Sequence, residues 1–245
     1  MKRPESTEER TLEDTSFKRF CAKGTNRWKS NRNPANNKAF KQQTIMFAME
    51  TDMLNAANLE FYPLTPERWP DLEKLFGKRG ACGGCWCMFW RLKRSDFVKQ
   101  KGEVNRKALK KIVDSDEVPG ILAYANHEPI GWCSIAPRES FSTLERSRIL
   151  KRIDDEPVWS VVCFFIAKPY RRKGLTVKLL EVCLKYVREH GGGIVEGYPV
   201  DPLQGKTPDV FAYTGLATAF RKAGFVEVAR RSATRPIMRY AAKGK

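Results

Sequence analysis

Hydrophobic and polar positions of this 245-residue chain follow strand-like and helix-like patterns from about Leu59 onwards. Residues 59–64 alternate in the manner of a half-buried strand, whereas residues 65–77 place apolar side chains at helical spacing between a Thr-Pro start and a closing glycine. Residues 158–167 form a continuous apolar run that predicts a strand buried on both faces. A long amphipathic helix is predicted directly after it, over 175–189.

The remaining patterns complete a β-α-α-β-β-β-α-β-α-β order. This order predicts a mixed α/β fold, of the class also written α+β. These patterns are a helix over 103–113, a hairpin of strands 120–125 and 129–136, a strand over 194–198, a helix over 212–223 and a last strand over 226–239.

Residues 1–45 do not share these patterns, because Leu12 and Ile45 are their only Leu, Ile or Val residues. Such a stretch cannot bury enough apolar surface to offset its ordering entropy, so we predict a disordered basic tail before a domain at 46–245. One interpretation is an extension from an upstream start codon, with Met46 or Met53 as the natural start. The other is a basic arm that binds nucleic acid.

Charge is the unusual feature of the composition, since the net charge is +17. This balance favours anionic partners such as nucleic acid, anionic lipid or a polyphosphate ligand. No apolar run approaches the roughly 20 residues that span a bilayer, and no signal peptide is recognisable, so we expect a cytoplasmic protein with reduced thiols and no membrane partner.

A basic turn joins the buried strand to the long helix, and it is the most informative part of the sequence. A helix N-terminus presents backbone N–H groups and a positive dipole end to an anion, and a glycine lets the backbone approach it closely. A pyrophosphate group is therefore the expected ligand. The residues of the turn are Arg171, Arg172, Lys173, Gly174, Leu175 and Thr176.

This turn resembles the Arg/Gln-x-x-Gly-x-Gly/Ala signature of the GNAT N-acetyltransferase superfamily. Arg171 takes the first position and Gly174 the central glycine, while Thr176 stands where Gly or Ala is usual. Residues 220–225, Phe-Arg-Lys-Ala-Gly-Phe, resemble the end of the family's late helix, and the order of elements from 59 to 240 also matches.

The resemblance implies a mixed, mostly antiparallel central sheet that is flanked by helices and splayed between two central strands. It also implies acetyl transfer from acetyl-CoA, as co-substrate, to an amine. The turn would hold the pyrophosphate, and backbone groups of Phe165, Ile166 and Ala167 would pair with the pantetheine arm. A backbone N–H of the central strand would polarise the thioester carbonyl.

Acid–base roles are less clear, because many members of the family carry a Tyr where this chain has Phe220. Tyr213, seven residues earlier in the predicted helix, and Tyr198 are the candidate proton donors, each with packing as the alternative. The CoA thiolate could also leave unprotonated.

Glu196 is the best candidate for the base, because it lies inside a short apolar strand where burial would raise the pKa of a carboxyl group. The alternative is a salt bridge to a neighbouring arginine. Asp201 and Asp209, in the loop after that strand, are weaker candidates.

Three cysteines, Cys82, Cys85 and Cys87, stand within a stretch rich in aromatic residues. A closed zinc site needs four ligands, so we predict no metal. One interpretation is an acceptor pocket lined by Trp86, Phe89 and Trp90, and the other is a buried apolar turn.

The sequence therefore predicts an acetyl-CoA-dependent N-acetyltransferase whose acceptor cannot be identified. The alternative is an acyl-CoA-binding module without catalysis that binds nucleic acid through its basic surface.

Overall fold

The structure is a computed structural model, and it describes residues 58–202, 208 and 211–241. The predicted tail at 1–45 and the candidate base Asp209 lie outside these residues.

Seven strands form one sheet in the order β1-β2-β3-β4-β5-β7-β6. Neighbouring strands are antiparallel except β4 and β5, which are parallel. The mostly antiparallel sheet is therefore confirmed. The strands are β1 (Leu59–Pro63), β2 (Gly120–Ala125), β3 (Glu128–Pro137), β4 (Trp159–Ile166), β5 (Ile194–Gly197), β6 (Val226–Arg230) and β7 (Pro236–Ala241).

Six α-helices are described, and most are short. The two longest, α3 and α5, coincide closely with the predicted helices. The six are α1 (Trp69–Phe76), α2 (Arg94–Lys99), α3 (Glu103–Asp114), α4 (Ser142–Arg146), α5 (Leu175–Glu189) and α6 (Ala217–Lys222). No helix among the described residues is long and apolar enough to cross a membrane.

Both faces of the sheet are covered, because successive side chains of a strand point to opposite faces. Ile121 and Ala123 of β2 pack in the core beneath α5 and α6. Leu122 and Tyr124 of the same strand pack with α1 and α3. A third cluster, beside the second, lies under the β3–β4 connection and includes Val162 of β4. The central strand β4 is thereby enclosed, as its apolar run predicts.

The C-terminal part differs from the sequence prediction in two ways. The helix predicted over 212–223 begins only at Ala217, and residues 213–216 are irregular, with Gly215 at φ +83°. Tyr213 therefore does not lie on a helix face with Phe220, as the sequence had suggested. The strand predicted over 226–239 is a hairpin of β6 and β7, and Pro236 begins the second strand. Proline lacks the N–H that a continuous central strand would need.

Candidate anion-binding turn and reaction site

The turn after β4 forms an open helix N-terminus. A 3₁₀ turn, Lys168–Tyr170, leads out of the strand, and α5 begins after Gly174. Gly174 has φ +87°, a left-handed conformation that favours glycine, and a Cβ built there would meet nothing within 4 Å. No described side chain caps the helix by a hydrogen bond. The N–H groups of Leu175 and Thr176 are therefore available to a ligand, whereas those of Val177 and Lys178 donate to the carbonyl of Gly174.

Two basic side chains of the turn are held differently. Arg171 donates from Nε to the carbonyl of Ile166 at 2.9 Å, which fastens the turn to the end of β4. The Nζ atom of Lys173 is buried and has no hydrogen-bond partner in the described part of the chain. A buried ammonium without a partner is costly, and an anionic group at the helix N-terminus would satisfy it. The residues present therefore fit a pyrophosphate.

Strands β4 and β5 separate, as the splayed sheet requires. They are paired at only three positions, from Trp159↔Val195 to Val161↔Gly197, although β4 continues to Ile166. The N–H of Phe164, on the unpaired half of β4, points into the resulting gap and donates to the carbonyl of Tyr213 at 2.6 Å.

Of the three residues that the resemblance suggested, Ile166 faces this gap with its N–H, whereas Phe165 and Ala167 do not. The N–H of Ala167 donates to Ile130 of β3, and its carbonyl accepts from Tyr170, both at 2.9 Å. Phe165 is in register with Trp132 of β3. Because N–H groups of successive strand residues point to opposite edges, the gap is faced by Phe164 and Ile166. The sequence did not indicate Phe164, because strand pairing decides which residues of β4 direct their N–H groups towards the gap.

Glu196 is fully engaged in a buried ionic network. It is 1% exposed, and it accepts from Nη1 of Arg138 at 2.9 Å and from Nε of Arg239 at 2.7 Å. The hydroxyl of Tyr198 donates to the same carboxylate at 2.6 Å. The arrangement matches the salt-bridge alternative. Because the oxygens of this carboxylate are occupied by three donors inside the fold, the geometry disfavours Glu196 as the base.

Tyr198 is likewise held inside this network. Besides donating to Glu196, its oxygen accepts from Nη1 of Arg138 at 2.5 Å and lies 2.9 Å from Oγ of Ser160. Burial, and next the charge of Glu196, raise the pKa of Tyr198 well above its ordinary value. Its one proton is used within the network, which argues against a role as proton donor to a thiolate.

A first prediction concerns this tyrosine. Tyr198→Phe should lower the free energy of unfolding by about 1–3 kcal/mol, because Arg138 and Ser160 lose a buried partner. In the wild type, stability should fall above about pH 10, where the phenol ionises in the unfolded chain but not in the folded one. The variant should lose that part of the alkaline decline.

Urea unfolding between neutral and alkaline pH measures both effects. Tyr62→Phe is the control, since Tyr62 is 37% exposed and its loss of a hydroxyl should change stability little. A Tyr198→Phe protein with wild-type stability at every pH would contradict the buried network.

Asp201 is also engaged in ion pairs. It lies 2.7 Å from Arg230 and 3.0 Å from Arg221, and the hydrogen bond from Arg230 lowers the pKa of the carboxyl group. A lowered pKa makes it a weak base.

The three predicted pocket aromatics are placed in two environments. Trp86 is 6% exposed and stacks on Trp69 at 5.9 Å, so it belongs to the core beneath α1. Phe89 and Trp90 are in contact, with ring centroids 5.0 Å apart, and Phe89 also contacts Tyr213 at 6.4 Å. The structure therefore brings Phe89 and Tyr213 together near the gap but not Trp86.

A surface pocket of about 300 Å³ does exist beside Trp86, but no residue of the gap lines it. Its other lining residues are charged or glycine: Glu73, Gly77, Lys78, Arg79, Gly102, Glu103 and Arg106.

Arg91, next to Trp90, is an unexpected polar group on this face. Its guanidinium lies over the ring of Phe141 at 4.7 Å, and its Nε and Nη2 atoms are buried without a hydrogen-bond partner among the described residues. Desolvation lowers the pKa of Arg91 to about 10. No sequence signal distinguishes Arg91 from the many other basic residues.

The cysteines contribute mainly to packing. Five described cysteines are free, namely Cys85, Cys87, Cys133, Cys163 and Cys183. The thiol of Cys87 lies 3.5 Å from that of Cys163 on β4. This contact and burial raise the pKa of Cys87. Within the described residues, no group of three or more His, Cys, Asp or Glu side chains is placed to hold a metal ion.

Three solved acetyltransferase structures resemble this one with TM-scores below 0.5. PaiA N-acetyltransferase from Thermoplasma acidophilum, in complex with coenzyme A, is 14% identical, with a TM-score of 0.44 over 75% of this chain and 99% of that one. A GNAT-family acetyltransferase from Streptococcus pneumoniae is 13% identical, with a TM-score of 0.45 over 75% and 99%. Ribosomal-protein-S5-alanine acetyltransferase from Vibrio fischeri is 12% identical, with a TM-score of 0.44 over 76% and 93%.

No curated protein sequence matches the chain significantly. Residues 86–198, however, match the model of the Acetyltransferase (GNAT) family. The matched region contains β4, the basic turn and α5, which together form the open helix N-terminus described above. Over residues 86–198 the chain is therefore similar to the Acetyltransferase (GNAT) family.

Proposed function

We propose that this chain transfers the acetyl group of acetyl-CoA to the amine of an acceptor molecule. The observation that carries the proposal is the turn after β4. Its residues 173–175 combine an uncapped helix N-terminus, open space at Gly174 and a buried Nζ of Lys173 that has no hydrogen-bond partner among the described residues. Three features that each favour an anion therefore belong to consecutive residues of one turn, which suits the pyrophosphate of CoA.

Acetyl-CoA supplies the activated acetyl group as a thioester. The amine nitrogen bonds to the carbonyl carbon, the carbon–sulfur bond breaks, and the CoA thiolate leaves while the amine loses its proton. The chain's contribution is to hold the cofactor at the turn and to direct an N–H of β4 towards the carbonyl oxygen, where negative charge develops. We propose Phe164 as this donor, because its N–H points into the gap between β4 and β5.

Proton transfer is then left to water or to Tyr213. Glu196, Tyr198 and Asp201 are all bound by arginine side chains. Tyr213 is half-buried and contacts Phe89 on the acceptor side of the sheet. We propose that Tyr213, through its position beside Phe89, protonates the thiolate.

The activity is tested by thiol release from acetyl-CoA across a panel of amines, with the acetylated product identified by mass spectrometry. We expect release with at least one class of amine, and its loss in Gly174→Glu but not in Gly191→Glu. Binding of CoA without release for any amine would favour a binding module without catalysis. The absence of CoA binding in the folded protein would refute the proposed function.

Tyr213→Phe separates the two routes for the proton. If the hydroxyl protonates the thiolate, turnover should fall by roughly 10²-fold, with a smaller loss at pH values above the thiol pKa of about 8.5. Tyr240→Phe is the control. Unchanged turnover at every pH would leave the proton to water.

A further inference from the structure

The gap between β4 and β5 is occupied by the chain itself. We call residues Tyr213–Leu216 the gap segment. On one side, the carbonyl of Tyr213 accepts from the N–H of Phe164 on β4 at 2.6 Å. On the other side, the carbonyl of Gly215 accepts from Val200, and Val200 accepts from Ala217, both at 2.9 Å. The segment is therefore bonded to β4 and to the continuation of β5.

Side-chain contacts hold the gap segment in place. Thr214 is completely buried, and its hydroxyl accepts from Nη1 of Arg235 at 3.0 Å. A Cβ on Gly215 would lie 2.8 Å from Phe220 and 3.1 Å from Phe164, so the segment passes tightly over both rings. Arg235 lies in the turn between β6 and β7, so that turn anchors the gap segment from outside the gap.

We propose that the cofactor channel of this chain is self-occupied, and that acetyl-CoA enters only after the carbonyl of Tyr213 has released the N–H of Phe164. The carbonyl of Tyr213 takes the position on Phe164 N–H that the thioester carbonyl needs, because a strand N–H donates to one acceptor at a time. This inference rests on the proposed function. It assigns to Tyr213–Leu216 the role of a latch on the cofactor channel.

A latch has a kinetic consequence. When binding requires a prior opening step, the observed rate of CoA binding levels off at high CoA concentration, where opening becomes limiting. The apparent affinity is also reduced by the fraction of molecules that are open. Weakening a contact that exists only in the closed state should therefore raise both the limiting rate and the apparent affinity of CoA binding.

Arg235→Met tests this expectation, because it removes the anchor on Thr214 without touching the turn or β4. We expect the limiting rate in stopped-flow binding of CoA to rise about fivefold, the scale of one net hydrogen bond. The control is Arg231→Met in the same turn, because Arg231 donates to the carbonyls of Lys151 and Arg152 instead. Thr214→Val should act in the same direction as Arg235→Met without a change of charge.

The amide of Phe164 gives a direct readout. In protein labelled with ¹⁵N-phenylalanine, its hydrogen exchange should be faster in Arg235→Met than in Arg231→Met, and saturating CoA should shift its resonance. Rates that rise linearly with CoA and are equal in both variants would overturn the latch. So would a Phe164 resonance that CoA leaves unchanged. A folded wild type that binds no CoA at all would instead refute the proposed function and the latch with it.

Discussion

Gly174→Glu is expected to abolish CoA binding in a protein that remains folded. The new carboxylate would stand at the uncapped N-terminus of α5, within the turn that holds the buried Nζ of Lys173. It would compete with the pyrophosphate for the same donors and repel it. Losing two charge-assisted hydrogen bonds corresponds to a rise in the dissociation constant of about 100-fold or more. Isothermal titration calorimetry with CoA measures this dissociation constant.

The same helix provides a matched control. Gly191, just past the other end of α5, has φ +75°, and a Cβ there would also meet nothing within 4 Å. Gly191→Glu therefore introduces the same charge and a similar backbone strain, of order 1–2 kcal/mol, away from the turn. It should bind CoA like the wild type. Equal affinity in Gly174→Glu and Gly191→Glu would exclude the turn as the CoA site.

Glu196→Gln is expected to destabilise the fold rather than remove a catalytic base. The carboxylate is buried and accepts from Arg138, Arg239 and Tyr198. An amide is neutral, and its NH₂ group would face one of these donors, so Arg138 would keep only Glu145 and Arg239 only Asp154 as carboxylate partners, both partly exposed. Breaking a buried ion pair on one side costs about 3–5 kcal/mol. Urea unfolding, with CoA affinity measured in parallel, tests the prediction.

Glu227→Gln is the surface comparison. Glu227 forms an ion pair with Arg230 at 2.6 Å, but both side chains are partly exposed, and such pairs contribute about 0–1 kcal/mol. Its variant should be nearly as stable as the wild type. If Glu196→Gln has wild-type stability and loses turnover by roughly 10²-fold, Glu196 is the base after all.

Local patterns in the sequence predicted the elements that carry the proposed cofactor site. The apolar run at 158–167 is β4 over Trp159–Ile166, and the amphipathic pattern at 175–189 is α5 with the same bounds. Both depend on burial and periodicity within a few residues, which is information that a single segment contains. Gly174, between these two elements, could also be interpreted without tertiary context. A residue in the left-handed conformation before a helix favours glycine in any fold.

The C-terminal part was harder to predict for the opposite reason. The pattern at 212–223 predicted one helix, yet residues 213–216, which include Gly215, are irregular and bond with Phe164 and Val200 across the gap. The single predicted strand is two strands, because β7 pairs with both β5 and β6. In each case contacts with distant strands outweigh local preference.

The sequence alone determined the order of elements and the basic turn, because these follow from periodicity, from glycine and from charge within short segments. Only the tertiary structure determined which partners the candidate acids and bases have. Glu196 meets Arg138, 58 positions away, and Arg239, 43 positions away, and nothing in its own strand indicates either partner. Only the fold, likewise, shows that Phe164 faces the gap and that Tyr213 fills it. Burial makes a polar group depend on whichever partner the fold brings to it, and that partner is set by strand pairing across the whole sheet.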